Sequence, residues 1–402
     1  MNQPVLSIVI PTRNRPKYIY SCVKSLIQIK NYQFQIIVQD NSSNYETKNC
    51  LQKYLSDPRF IYNHEINRLD MIKNWDNAFE NAEGQYICAI GDDDTVNPEI
   101  IEVALWLNQI KIDALVPSRP VQYYWPDYYL YYYKSLFSSK LFINNFSCSI
   151  SDVDATKELE ICIKTVGRDF LKNKLPKIYY GLIKRDCLLD LKKETGSFFP
   201  GPSPDLAGSI GVAKHIKKLK YIDYPLFIPG SSKNSGAGMG AMKKHIGHLE
   251  NFPHLPKSSI LDWSSNVPRL FAPNALWAEC IVQALSKTNQ SVKLKDFNIP
   301  LLHALCLVFH FDYRKIIIKN FLQSIKKSKK SYIISLFKLM IYCIYSMGSR
   351  LKSVFLNITL LMKVQKIKIL SDVKDTNEAL EKLNKYLAEN NISLQEIIKN
   401  EG

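Results

Sequence analysis

Residues 84–98 read Gly84-Gln85-Tyr86-Ile87-Cys88-Ala89-Ile90-Gly91-Asp92-Asp93-Asp94-Thr95-Val96-Asn97-Pro98. The apolar run 86–90 has the pattern of a strand buried on both faces. Gly84 ahead of it stops a helical pattern over residues 71–82, and Pro98 behind it sits early in a helix to about residue 107. The alternation continues in both directions. Residues 6–10 are a strand ended by Pro11. Residues 17–29 carry apolar side chains at helical spacing, and 34–38 are a second strand ending in Asp40-Asn41-Ser42-Ser43. A helix over 45–55, a strand over 60–62 and a fifth strand over 113–116 complete the set. Repeated strand–helix units of this length predict an α/β fold, a Rossmann-like, mostly parallel sheet with helices on both faces. Such sheets bind ligands beyond the carboxyl ends of their strands, where the polar clusters fall.

Beyond residue 118 the pattern loosens. Residues 121–137 are dense in aromatics, fit either for stacking on the rings of a ligand or for ordinary core and surface. Residues 178–183 and 221–228 read as strands, 198–203 as a Pro/Gly loop leading to Asp205, and 231–240 as a mobile Gly/Ser loop. After about residue 250 the chain turns helical. Helices are expected over 273–286 and 300–311, and an apolar pair over 331–347 and 351–362 separated by Gly348. The expected division is therefore a domain over 1–250, with a change of pattern at 118, and a helical region over 251–402.

The 402 residues carry a net charge of +16, unevenly spread. Residues 1–118 hold 11 basic and 14 acidic side chains, whereas 310–370 hold 13 basic and one acid. By charge the N-terminal third is no nucleic-acid surface. The basic segment 326–370 is richer in Ile, Leu and Met than in aromatics, which fits an anionic lipid surface better than nucleic acid. A helical hairpin lying in the membrane interface is the expectation there; the alternative is a soluble helical subdomain or an oligomer interface. Nine scattered Cys without a C-x-x-C pair point to reduced thiols in a cytosolic compartment. The N-terminus lacks a basic region ahead of an apolar run, so no signal peptide is expected.

Carboxylates at a strand-to-loop junction, as in Asp92-Asp93-Asp94, suit a hard divalent cation, though a solvated acidic turn has the same composition. Three segments in order then resemble the glycosyltransferase family 2 enzymes of the GT-A fold: Ser7-Ile8-Val9-Ile10-Pro11-Thr12-Arg13-Asn14-Arg15, Ile37-Val38-Gln39-Asp40-Asn41-Ser42-Ser43, and residues 82–98. The resemblance covers residues 5–118 and, more weakly, extends to about 235. It implies an inverting transferase, using Mn²⁺ or Mg²⁺, that moves a sugar from a nucleotide-sugar (a UDP-sugar) to a glycan or lipid-linked acceptor in surface-polysaccharide assembly. It implies that Asp40 reads the base, and that Pro11, Thr12, Arg13, Asn67 and Asn74 add nucleotide contacts. The family cluster reads D-x-D-D, and Gly91 stands where its first Asp would be. Asp93 becomes the principal metal ligand, Asp92 faces ribose or phosphate, and Asp94 is able to exchange roles with Asp93. Asp205, after Ser203-Pro204, is the general base; its bland reading is a helix N-cap. Lys243, Lys244 or His245 would add positive charge over the diphosphate. A non-catalytic nucleotide-sugar binder and a nucleic-acid binder are the rival readings. A processive synthase would need a Q-x-x-R-W motif and several membrane spans, and neither is read here. The expected location is cytoplasmic, peripheral on the inner membrane face.

Overall fold

The computed structural model describes residues 3–129, 136–242, 245–328, 331–361, 367–399 and 401. Its first half runs β1 (Leu6–Thr12), α1 (Pro16–Ile27), β2 (Phe34–Asp40), α2 (Glu46–Leu51), β3 (Phe60–His64), α3 (Met71–Glu80), β4 (Tyr86–Ala89), β5 (Thr95–Val96), α4 (Ile100–Gln109) and β6 (Ala114–Pro117). Then come β7 (Val121–Tyr124), β8 (Lys140–Ile143), β9 (Ile150–Val153), α5 (Ala155–Lys164), β10 (Leu182–Lys184), α6 (Arg185–Thr195), α7 (Pro204–Ala213), β11 (Leu219–Ile222), β12 (Phe227–Ile228), β13 (Gly230–Ser231) and α8 (Gly236–Ala241). The remainder is α9 (Lys257–Leu261), α10 (Pro273–Lys287), α11 (Ile299–Phe309), α12 (Arg314–Ser328), α13 (Tyr332–Leu361), β14 (Lys368–Leu370), α14 (Thr376–Glu389) and α15 (Leu394–Lys399).

The main sheet has the order β3-β2-β1-β4-β10-β6-β11-β9. β1, β2, β3 and β4 are mutually parallel, and β10 inserts antiparallel between β4 and β6. The α/β expectation holds, and the strands form for the reason given: β1, β2 and β4 are buried on both faces. The β1–β2 register sets Thr12 opposite Asp40, so both polar strand ends reach the same edge.

Several expectations change. Of the strand read over 178–183 only Leu182 and Ile183 are strand, in β10, because Tyr179 and Tyr180 turn toward the acidic cluster. The strand read over 221–228 is two strands in different sheets. The Gly/Ser loop 231–240 contains α8, whose start Ser235 caps by accepting from the Gly238 N–H. The expected helical pair is one 30-residue helix, α13, with no break at Gly348. A mid-helix Gly costs only ~1 kcal/mol relative to Ala, and no Pro follows to stop the helix. Within it, residues 332–352 are long and apolar enough to cross a membrane, by length and composition.

Segments beyond residue 250 pack back onto the first part of the chain. β14 pairs with β8, and Leu380, Leu383, Leu387 and Leu394 join the core formed by β1, β2 and α1. Ser21 of α1 is hydrogen-bonded to Thr376 and Asn377 of α14. A second core joins α5, α7, α10 and α11.

Candidate active site

The three carboxylates leave β4 at its C-terminal end, 6%, 5% and 0% exposed for Asp92, Asp93 and Asp94. Burial of this kind needs partners. Asp92 accepts from the Thr12 hydroxyl at 2.6 Å, and its other oxygen lies 2.8 Å from Arg15 Nε. The Nε–H is not aimed along that line, so this contact is an ion pair rather than a hydrogen bond. Arg15 Nη2 is 3.0 Å from Asp93 Oδ2, which also accepts from Ser232 Oγ at 2.5 Å. Burial pushes Asp92 up to about 6, against the pull of Arg15, while Asp93 adds to the rise. Burial pulls Arg15 down, but Asp92 and Asp93 outweigh it, and its basicity is raised overall.

Asp94 differs from the other two. Its carboxylate accepts from the Gly91 and Gly230 N–H groups at 2.5 and 2.6 Å, and from the Tyr180 and Tyr179 hydroxyls at 2.7 and 3.0 Å. Four donors occupy its lone pairs, which argues against the exchange of roles with Asp93 read from the sequence. Burial raises its pKa to about 7. The same arrangement explains Gly91. A Cβ there would lie 2.7 Å from the Tyr179 hydroxyl oxygen and 2.8 Å from Asp94 Oδ2, so the first Asp of the family pattern has no room. At Gly230 a Cβ would fall 1.8 Å from the Asp93 carbonyl oxygen.

Asp93 and Asp205 line one cleft of about 600 Å³, together with Trp75, Arg119, Lys177 and Trp277. Asp205 stands in the first turn of α7, but the N-cap is Ser203, so the capping alternative does not apply. Burial raises its pKa to about 6, with Arg119 and Lys177 opposing. Burial, followed by Arg119, lowers Lys177 to about 7. Both cations are anchored on the 170–171 segment: Lys177 Nζ donates to the Phe170 carbonyl at 2.5 Å and Arg119 to that of Leu171 at 2.7 Å.

The residues expected to read the base lie one strand away. Asp40 is fully buried and accepts from Ser42 N, Ser42 Oγ and the Tyr62 hydroxyl at 2.8, 2.5 and 2.7 Å. Oδ2 has a single donor, the Tyr62 hydroxyl, and so keeps a lone pair without a partner from these bonds. Arg13 donates to Asn41 Oδ1 at 2.6 Å, and Asn41 Nδ2 donates to the carbonyls of Glu65 and Asn67. Asn67 is exposed and holds this loop by its backbone. Asn74 is buried in α3 with its Oδ1 unpartnered, while Met71 and Trp75 of that helix line the cleft and it does not. Pro11 sits within the β1 ladder opposite Gln39.

Sequence reasoning left Arg15, Asn41, Ser232, Arg119, Lys177, Tyr179 and Tyr180 unassigned. Arg15 and Asn41 stood inside the quoted motifs, so their position was a signal. The others come from loops whose placement no spacing reveals. Of the aromatics in 121–137, Tyr123 and Trp125 are core, and Trp125 Nε1 donates to the Asp93 carbonyl at 2.9 Å. Tyr131, Tyr132, Tyr133, Lys243 and Lys244 lie outside the described residues. Burial lowers the pKa of His245, which argues against a charged contact over the diphosphate.

The profile of glycosyl transferase family 2 matches residues 7–156, the stretch that carries β1 to β9 and the acidic cluster. This segment is a family 2 glycosyltransferase domain. The family 2 domain is 35% identical over 109 residues to the putative colanic acid biosynthesis glycosyl transferase WcaA of Escherichia coli, covering 26% of this chain and 38% of WcaA. It is 30% identical over 101 residues to protein CgeD of Bacillus subtilis, covering 23% of this chain and 24% of CgeD. The chain thus spans well under half the length of either relative. A crystal structure of S. aureus TarS 1-349 with UDP-GlcNAc superimposes with a TM-score of 0.45 at 13% identity, over 81% of this chain and 93% of that one. The GT-A organisation expected of the family 2 domain, parallel strands delivering an acidic cluster to the sheet edge, is the one described above.

Proposed function

We propose that the protein is a metal-dependent inverting glycosyltransferase that moves a sugar from a nucleotide-sugar, a UDP-sugar, to a glycan or lipid-linked acceptor in surface-polysaccharide synthesis. One observation carries this reading: Asp93 and Asp205 face one cleft. Asp92 and Asp93 offer only oxygen ligands and already hold a positive group between them, so the donor set fits Mn²⁺ or Mg²⁺. Among the described residues no cluster of three or more His, Cys, Asp or Glu forms a metal-binding set, so water and donor phosphates would supply the remaining ligands. A bound divalent cation would neutralise charge on the leaving diphosphate.

The chain's own residues do the rest. Asp40 accepts from the imide N–H of the base. Asp205, largely ionised at pH 7 with a pKa of about 6, takes the proton of the acceptor hydroxyl. As the acceptor oxygen bonds to the anomeric carbon, the bond from that carbon to the diphosphate oxygen breaks, and the configuration inverts. Trp75 and Trp277 wall the cleft and limit competing water. A screen of nucleotide sugars for Mn²⁺-dependent donor hydrolysis tests the reading. Turnover of at least one donor that vanishes in Asp93→Asn is expected; no turnover of any donor overturns it.

We further propose that α13 rests on an anionic membrane surface at the cytoplasmic face. Its outward residues Ile333, Ile344 and Leu351 are 81%, 66% and 69% exposed, with exposed Lys326 and Lys327 ahead of it and exposed Arg350 and Lys352 within it. Its inward stripe stays docked on α11, where Asn298 donates to the Tyr342 hydroxyl at 3.0 Å. That docking favours a helix lying along the interface over one crossing it. The nine free thiols fit a reducing compartment.

A further inference from the structure

The acidic pair already holds a cation of the protein's own. Arg15 spans Asp92 at 2.8 Å and Asp93 at 3.0 Å, and its Nη2 also donates to Ser232 Oγ at 2.7 Å. Among the described residues these are the ion pairs that reach the acidic cluster. Arg13, two residues earlier, is turned away onto Asn41. The local backbone sets this up: Asn14 adopts a φ of 54°, a left-handed conformation that Asn tolerates, and so returns Arg15 toward the strand ends. Two neighbouring carboxylates this buried repel each other and are poorly solvated, so a guanidinium fork between them relieves both penalties.

We propose that Arg15 is the resident counter-cation of Asp92 and Asp93 and competes with the divalent cation for those carboxylates. The inference rests on the metal-binding reading above and adds a residue to it. A cation entering at Asp93 meets a pair of carboxylates that already shares one positive charge, so its binding must displace the guanidinium or bear its repulsion. The guanidinium also rests over the Tyr18 ring, its Cζ 4.5 Å from the ring centre, so one favourable contact does not depend on the carboxylates; the ring is fixed by Asp127 and packed edge-on to Trp125. Ser232 bonds to both Arg15 and Asp93, so the same exchange loosens the tether of the segment leading to α8. Arg15 is in this sense a positioning residue, which holds the two carboxylates together and aimed.

The test is Mn²⁺ titration of the full chain by calorimetry, paired with thermal melting, for wild type, Arg15→Gln and Arg15→Lys. Arg15→Gln is expected to bind Mn²⁺ at least tenfold more tightly than wild type. It should melt lower without metal, and Mn²⁺ should raise its melting temperature by more than it raises that of wild type. Arg15→Lys, charged but unable to span both carboxylates, should fall between. A merely structural role for Arg15 would lower the melting temperature without this metal-specific recovery. Equal or weaker Mn²⁺ binding by a cooperatively melting Arg15→Gln overturns the proposal. Absence of Mn²⁺ binding in all three proteins overturns the metal reading along with it.

Discussion

Helix α1 buries Tyr18, Ile19, Cys22, Val23 and Leu26 against the sheet and turns Lys17 to solvent, whereas α13 buries Ser335 and Ser346 and turns out Ile333, Phe337, Ile344 and Leu351. Each exposed Ile or Leu forgoes ~1.5–3 kcal/mol that burial would supply, so α13 as it stands is costly in water. Its polar stripe is no accident of spacing, because Tyr342 bonds to Asn298 and Ser346 is fully buried. The contrast is one of cover: the apolar face of the first helix is enclosed by its own protein, whereas that of the second is left open, the face proposed above to meet a membrane surface.

The catalytic half is the robust side of this comparison, and the largest effect belongs there. Asp205→Asn should lower transfer by ~10²–10⁴-fold, the range for losing a general base, with melting temperature preserved. Radiolabelled sugar transfer measures it, and near-normal turnover would sink the base assignment. On the outer helix, the triple change Ile333→Glu, Phe337→Glu and Ile344→Glu should abolish flotation with anionic liposomes while leaving melting unchanged. If flotation persists, the outward face is not the membrane contact.

A milder perturbation is pH. The Asp205 pKa is raised from the usual carboxylate range to about 6, so the base form is lost as pH falls through 6. kcat/KM should therefore drop about tenfold per unit below that point, and a flat profile from pH 7 to 5 would contradict the role. The smallest effect concerns Glu279, whose Oε1 accepts from Ser264 N and Gln283 while Oε2 is buried without a partner. Burial raises it to about 7. Stability from its protonated form is present at low pH and lost as pH rises through 7. Glu279→Gln should melt a few degrees higher than wild type at pH 8, with the difference fading near pH 4.5.

The strands, their parallel order and the acidic cluster were legible because buried strands write continuous apolar runs and polar residues collect where those runs end. The role of Asp94 was not. Adjacent carboxylates look alike in sequence, and only the convergence of Tyr179, Tyr180 and Gly230 from distant segments marks this one as a fixed support. α13 was misread as two helices because Gly348 is a weak stop that packing overrides. Its face pattern was nonetheless visible, since serines at helical spacing amid apolar residues define a stripe; which side met the protein was not.

The α/β order of the first 118 residues, the site edge and the choice of Asp93 and Asp205 as candidate carboxylates, which line one cleft, could be read from the sequence alone, because periodicity and motif are local properties. The tertiary structure decided what required distant chain to meet: Arg15 and Ser232 around the acidic pair, α14 closing the core of β1 and β2, and the inside-out placement of α13. Loop closure and packing select those contacts from many that the same local pattern allows, so no window of sequence contains them.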